Sequence, residues 1–304
     1  MPLICYEERR FTKSSWAIID AANSIIAEYD AQGFSLTLRQ LYYQFVARGW
    51  LPNKQSEYKR LGDIMNKARL AGEVDWNALE DRTRNVRANP HWDSPAEVVA
   101  AAAAQFRFDL WEDQEYRPEV WIEKDALVGV IEGVCTDYDV PYFACRGYNS
   151  QSEQWRAGRR FDQYYRDGQQ PLVIHLGDHD PSGIDMTRDN EDRLHVFAEG
   201  GVIVERIALN IDQVRKYNPP PNPAKETDSR SPAYVKKFGG QSWELDALDP
   251  PVIAQLIRDE LESVIDDDKW RARKAAQAEA RGTLETLSGR WDEVATFLNG
   301  KDQT

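Results

Sequence analysis

Between residues 119 and 209 four short apolar runs alternate with longer amphipathic stretches, and this alternation constrains the chain more than any other feature. Glu119-Val-Trp-Ile-Glu123 reads as a strand and residues 124–138 as a helix. Pro141-Tyr-Phe-Ala-Cys-Arg146 reads as a second strand, with a helix from about Ser150 to Asp167. Residues 171–178 make a third strand, followed by a helix to about Ala198, and residues 202–209 a fourth. Strands separated by helices of this length return as parallel neighbours, so the expectation is an α/β chain with helices on both faces of a parallel sheet. In such sheets functional residues collect beyond the carboxyl ends of the strands.

Those ends are acidic. Glu123 closes the first strand, Asp178 closes the third, and Asp180 follows in Asp178-His-Asp-Pro-Ser-Gly183. If the second strand lies outside the first, strands one and three are neighbours and the three carboxylates converge on one rim. Crowded carboxylates repel, and a hard divalent cation such as Mg²⁺ resolves the repulsion through oxygen ligands. Pro181 and Gly183 suit a tight turn opening into a helix N-terminus, itself a place for phosphate. The same residues also suit a plain turn, with Glu123 paired to a surface lysine.

The N-terminal third reads as helical. Trp16, Ile18, Ile19, Ala22, Ile25, Ile26 and Tyr29 recur at helical spacing over residues 13–31. Thr37-Leu-Arg-Gln40 is a capping-box pattern for a second helix to about Ala47. Arg48-Gly-Trp-Leu-Pro-Asn53 breaks it, and a third helix runs from Ser56 to about Ala71. Leu61, Ile64, Met65 and Ala68 share one face of the third helix, with Lys59, Arg60, Lys67 and Arg69 mostly off it. Two short helices about a glycine-containing turn, the second one basic, read as a helix-turn-helix; a plain bundle with a solvated basic face carries the same pattern. On the second helix Leu38, Leu41, Tyr42 and Phe45 form the apolar stripe, which places Tyr42 inside. Tyr43 points about 100° away and shares its face with Arg39. A phenol beside a guanidinium has the parts for attack on a phosphodiester, because the cation holds phosphate and favours the phenolate against its usual pKa of about 10. A surface tyrosine stacked on arginine has the same spacing.

Composition narrows the functional classes. The 304 residues suit two domains, and 41% apolar with 29% charged residues excludes a disordered or fibrous chain. No apolar run reaches the roughly 18 residues of a membrane helix, and the first residues lack the apolar core of a signal peptide. Three cysteines with no CxxC pair argue against a disulfide scaffold or a structural zinc, so a cytoplasmic protein is expected. His175 and His179 span a strand end and a loop, a poor zinc pair, and no GxxxxGK[ST] loop is present. The net charge of −13 argues against passive nucleic-acid binding. The charge is uneven, however. The first hundred residues carry 13 basic and 13 acidic side chains, and residues 37–69 hold seven bases against two acids. Residues 88–118 read as a connector with an alanine-rich helix, 217–243 as a long irregular segment, and roughly 251–265 and 268–298 as closing helices.

Val120-Trp-Ile-Glu123-Lys, the glycine turn Arg146-Gly147-Tyr and Asp178-His-Asp180-Pro-Ser-Gly183 together resemble a Toprim domain. Thr37-Leu-Arg39-Gln-Leu-Tyr42-Tyr43 resembles the catalytic-tyrosine motif of the winged-helix domain in the topoisomerase VI A subunit, shared with the meiotic double-strand-break transesterase. Arg206-Ile-Ala-Leu-Asn and Trp243-Glu-Leu-Asp-Ala-Leu248 are similar to that family's continuation. The likeness covers about residues 35–260, and the short chain is most similar to the compact mini-A relatives of mobile elements. It implies a winged-helix domain (1–112) carrying the catalytic tyrosine and a Toprim domain with a helical extension (113–304). It further implies Mg²⁺-dependent cleavage of double-stranded DNA, with Tyr43 becoming linked to a 5′ end. Arg39 would orient the phosphate. Glu123, Asp178 and Asp180 would hold metal, with Glu123 as the acid/base candidate. Expected DNA contacts are Lys59, Arg60, Lys67, Arg69, Arg146 and Lys225. A homodimer is implied, with the tyrosine of one subunit working at the metal site of the other. A separate ATPase subunit is a further possible partner, because the chain carries no ATPase of its own. A Toprim nuclease using activated water, or a DNA-binding protein without catalysis, stands as the alternative.

Overall fold

Thr37 and Gln40 make the reciprocal capping box that their spacing calls for: Thr37 N–H donates to Gln40 Oε1 at 2.8 Å and Gln40 N–H to Thr37 Oγ1 at 3.3 Å. They start α2 (Leu38–Ala47) in a computed structural model that describes residues 3–79, 89–223 and 228–300. Helix α1 (Lys13–Asp30) begins at Thr12, whose hydroxyl accepts from Ser15 N–H, and α3 (Gln55–Leu70) follows the turn at Gly49. Ile19, Ala22 and Ile25 of α1 meet Leu41 and Phe45 of α2 and Leu61, Met65 and Ala68 of α3 in one buried cluster. At about 1.5–3 kcal/mol for each large apolar side chain removed from water, this cluster stabilises the three helices far more than their capping does.

Helix α4 (Pro95–Gln105) precedes the sheet. Strands β1 (Tyr116–Ile122), β2 (Tyr142–Ala144), β3 (Gln170–Leu176) and β4 (Ile203–Ala208) lie in the order β2-β1-β3-β4, in a parallel sheet. The second strand therefore does lie outside the first, and β1 neighbours β3. Helices α5 (Val128–Asp137), α6 (Gln151–Arg166) and α7 (Pro181–Phe197) connect the strands. Trp121 and Val173 pack with Ala157 and Phe161 of α6 and Leu194 of α7. Val120 and Ile122, which point the other way, are equally buried, as a sheet covered on both faces requires. The buried Glu119 carboxylate is matched by two Arg160 bonds of 3.0 Å and by Trp121 Nε1 at 3.1 Å.

The described part of the stretch expected to be irregular carries short regular elements. After α8 (Ile211–Tyr217), β5 (Asn222–Pro223) pairs antiparallel with β6 (Gln241–Ser242), and α9 (Ser231–Phe238) lies between them. His179 and Trp243 exchange two backbone hydrogen bonds of 2.8 and 2.9 Å, and the Tyr234 hydroxyl meets His179 Nδ1 at 2.7 Å. Two-residue strands carry no periodicity, so these contacts and not local preference set the segment. Helix α10 (Pro250–Val264) follows Asp249, which accepts hydrogen bonds from Tyr29 (2.9 Å) and Gln44 (2.7 Å).

By compactness the chain forms two units, one of residues 1–84 with 118–263, the other of residues 85–117 with 264–304. The three N-terminal helices and the sheet thus share a unit, which does not follow the expected division at 112/113. In the second unit α4 lies along α11 (Asp267–Gly289), which is followed by α12 (Trp291–Gly300). Phe108 N–H donates to Gln277 at 2.8 Å, Arg281 to the Phe106 carbonyl at 2.7 Å, and Trp111 meets Trp270 edge-on at 5.4 Å. The expected connector is half of this unit, and the expected last helix is broken at Arg290. No described helix is long and apolar enough to cross a membrane.

Candidate functional site

The neighbouring ends of β1 and β3 bring the acidic residues to one rim. Glu123 N–H donates to the Leu176 carbonyl at 2.8 Å, and Asp178 N–H to Glu123 Oε2 at 2.8 Å. Asp178 Oδ1 accepts from Leu245 N–H at 2.8 Å and lies 2.9 Å from Lys124 Nζ. Asp180 caps α7, accepting from Gly183 N–H at 2.6 Å and the Ser182 hydroxyl at 2.9 Å. A side chain at Gly183 would strike the Asp178 carbonyl, which is why glycine stands there. Each carboxylate is thus turned to an internal partner. Among the described residues no three His, Cys, Asp or Glu side chains gather as a metal cluster, so the convergence expected from the sequence stops at the rim. Burial first, then the Asp178 charge, push the Glu123 carboxyl up to about 7. Burial also pushes Asp178 up to about 6, against the pull of Lys124. The donors are all oxygens, the kind a hard divalent cation takes, and a cation there would have to displace the protons that burial holds on Glu123 and Asp178.

Of the two cations at this rim, Arg39 was expected to orient phosphate and Lys124 carried no expected role. Lys124 Nζ lies 2.9 Å from Glu244 Oε2 and 3.3 Å from Asp246 Oδ2, besides Asp178. Arg39 pairs with the same Glu244 Oε2, and its Nε sits 2.9 Å from Asp246 Oδ2 without the alignment of a hydrogen bond. Burial opposes charge on both cations, but Glu244 and Asp246 on Arg39, and Asp178 with the same pair on Lys124, raise their pKa values. Glu244 is partly buried, which opposes its charge, yet Lys124 and Arg39 hold it below the usual carboxylate range. The signals in the sequence were Lys124, adjacent to Glu123, and the Trp243–Leu248 stretch, which carried a likeness but no role. Arg206 is a second omission. Its buried guanidinium donates to the carbonyls of Gly177 (2.9 Å), Asp178 (2.7 Å) and Gly183 (2.9 Å), fixing the acidic loop. Burial brings it down to about 10.

A cavity of about 260 Å³ adjoins this rim, lined by Arg39, Tyr42, Tyr43, Lys54, Tyr58, Asp178, Asp180, Asn222 and Glu244 among others. Tyr43 and Asp178, 135 positions apart in sequence, thus line one space within a single chain. Two expectations need correction. Tyr43 does not turn outward: it is 4% exposed, as Tyr42 is, because residues 243–249 cover the second face of α2. Nor does Arg39 produce a ready phenolate. Burial and Glu244 push the Tyr43 phenol up to about 12, and Arg39, 5.8 Å from its ring centre, only partly offsets them. Tyr42 behaves as expected: its hydroxyl accepts from Lys54 N–H at 2.8 Å and faces the Pro52 and Lys54 carbonyls at 3.1 Å.

The expected DNA contacts are unequal. Lys59, Arg60 and Lys67 are exposed on α3, with Arg60 3.4 Å from Glu57. Arg69 is turned inward, donating to the Trp76 carbonyl and, at 3.0 Å, to that of Leu79. Arg146 is exposed after β2 and pairs with Asp125 at 2.9 Å. Lys225 lies outside the described residues. Set against known proteins, the chain matches no family model and no curated protein.

Proposed function

We propose that the chain is a Mg²⁺-dependent DNA-cleaving transesterase of the topoisomerase VI A type, with a winged-helix domain presenting Tyr43 to a Toprim-like acidic rim. The observation that carries this reading is the cavity that Tyr43, Arg39, Asp178 and Asp180 line together, from elements far apart in sequence. Glu123, Asp178 and Asp180 would hold the cation, which when bound supplies charge neutralisation at the phosphate. Arg39 orients the phosphate. Tyr43 must lose its proton to attack, and with its phenol at about 12 it needs a base. The resemblance offers Glu123 for that role; its carboxyl is raised by burial and the Asp178 charge, and it stands behind the cavity lining, accepting from Asp178 N–H. Breaking the phosphodiester leaves the phosphate on Tyr43 and a free hydroxyl on the other strand end. The resemblance also implies a homodimer and, as a possible partner, an ATPase subunit.

The test is cleavage of supercoiled DNA with Mg²⁺, run with and without proteolysis before the gel. The parent should give protein-linked ends that enter the gel only after proteolysis. Tyr43→Phe should bind DNA but form no linked product. The raised phenol pKa gives the hydrolytic alternative its specific form: free ends, undiminished in Tyr43→Phe, would mean that activated water and not the phenol attacks.

A further inference from the structure

Glu244 puts a carboxylate beside the Tyr43 phenol and against two cations: Arg39, which lines the cavity, and Lys124, which stands behind the lining in contact with Glu244 and Asp178. Its Oε2 is shared by Arg39 and Lys124, the latter at 2.9 Å, while Oε1 accepts from Asn222 Nδ2 at 3.3 Å. Asp246 touches the same cations but is part of the frame, with its side chain 1% exposed; the Glu244 side chain is 25% exposed and lines the cavity. The internal anions also leave the cations incompletely served. Arg39 Nε is buried with no hydrogen bond, although Asp246 Oδ2 is 2.9 Å away. A guanidinium fork of this kind is matched better by two tetrahedral oxygens than by one shared carboxylate oxygen.

We propose that Arg39 and Lys124 form a phosphate-binding subsite and that Glu244 is its resident anion, displaced when a phosphodiester enters. The exchange is like for like in charge, one carboxylate out and one phosphodiester in, so the half-exposed Arg39 and the less exposed Lys124 keep a counter-charge throughout. It needs only rotation of one side chain toward solvent, while Asp246 and Asp178 keep Lys124 in place. Lys124 thereby joins Arg39 as a phosphate ligand, and Glu244 lowers affinity for any anion that cannot outcompete it. This deepens the reading of the cavity as a phosphodiester site.

The experiment measures binding of inorganic phosphate and of a short DNA duplex to the full chain by calorimetry, in chelator, at one fixed salt concentration. Glu244→Gln keeps the shape and removes the charge, and it should raise phosphate affinity about tenfold. The Glu244→Gln/Lys124→Met double variant should lose that gain. If Glu244→Gln did not fold, Glu244→Asp, which retracts the carboxylate by one methylene, should show a smaller gain in the same direction. Unchanged affinity in the single variant, or a gain that survives Lys124→Met, overturns the proposal. Tighter phosphate and duplex binding with no cleavage under any condition would support the subsite while refuting the transesterase. Linked cleavage by the parent with no gain in Glu244→Gln would do the reverse.

Discussion

At the scale of single residues, the acidic rim is defined by what it costs to keep it charged. Glu123 rises from an ordinary 4.5 to about 7 and Asp178 from 3.8 to about 6, so both hold protons more tightly in the folded protein than in the unfolded chain. Their contribution to stability is therefore complete below about pH 4 and is lost as pH rises through 6 and 7. Glu244, held low by Lys124 and Arg39, acts in the opposite sense: its contribution is complete above its ordinary pKa and is lost as pH falls through its lower folded value. In chelator the parent should lose stability between pH 4 and 7, by about 1–3 kcal/mol from Glu123. Glu123→Gln should flatten that limb of a denaturation-versus-pH series. An unchanged slope would mean that Glu123 is charged in the folded state throughout. That Glu123, Asp178 and Asp180 share a rim was legible, because it follows from β1 and β3 being neighbours; their role was not, since the same residues suit a plain turn and Asp180 does cap α7. The orientation of Tyr43 was not: helical spacing gives the apolar stripe of α2 but cannot show that residues 243–249 cover its other side.

At the scale of elements, α3 separates basic residues by role. Its apolar stripe and its boundaries were readable, yet Arg69 and Lys67 look alike in sequence. Arg69 donates to the carbonyls of Trp76 and Leu79 and stacks over the Trp76 ring at 5.4 Å, which ties the chain after α3 back onto the helix. Such partners lie beyond the helix end and leave no periodic trace. Lys59→Ala, Arg60→Ala and Lys67→Ala combined should weaken DNA binding on every sequence and reduce the log–log salt slope by about 2–3. Arg69→Ala should leave the slope alone and lower stability by about 1–2 kcal/mol. Fluorescence anisotropy across a salt series, with thermal melts of the same proteins, distinguishes the two. A slope unaffected by the triple variant would place DNA on another surface. The β5–β6 pair and α9 mark the limit of reading elements from sequence: they are held by His179, Tyr234 and Trp243, and only their contact with the acidic loop makes them regular.

At the scale of the molecule, the question is where the tyrosine and the carboxylates that work together reside. The family likeness implies different subunits; the structure lines one cavity with Tyr43, Asp178 and Asp180 of the same chain. The two arrangements differ in what a mixture of inactive variants can do. Tyr43→Phe lacks the nucleophile and Asp178→Asn a rim carboxylate, so each alone should form no linked product. If sites were shared across a dimer, half of the randomly paired dimers would be mixed and each would hold one intact site, so about one quarter of all sites would recover. If sites are made within one chain, every site lacks one residue and none recovers. The cavity predicts the second result: an equimolar, unfolded-and-refolded mixture should form no more protein-linked DNA than either variant alone. Recovery near one quarter would show instead that the copy supplying the phenol is not the copy supplying Asp178, and that the shared cavity opens when two chains and DNA assemble.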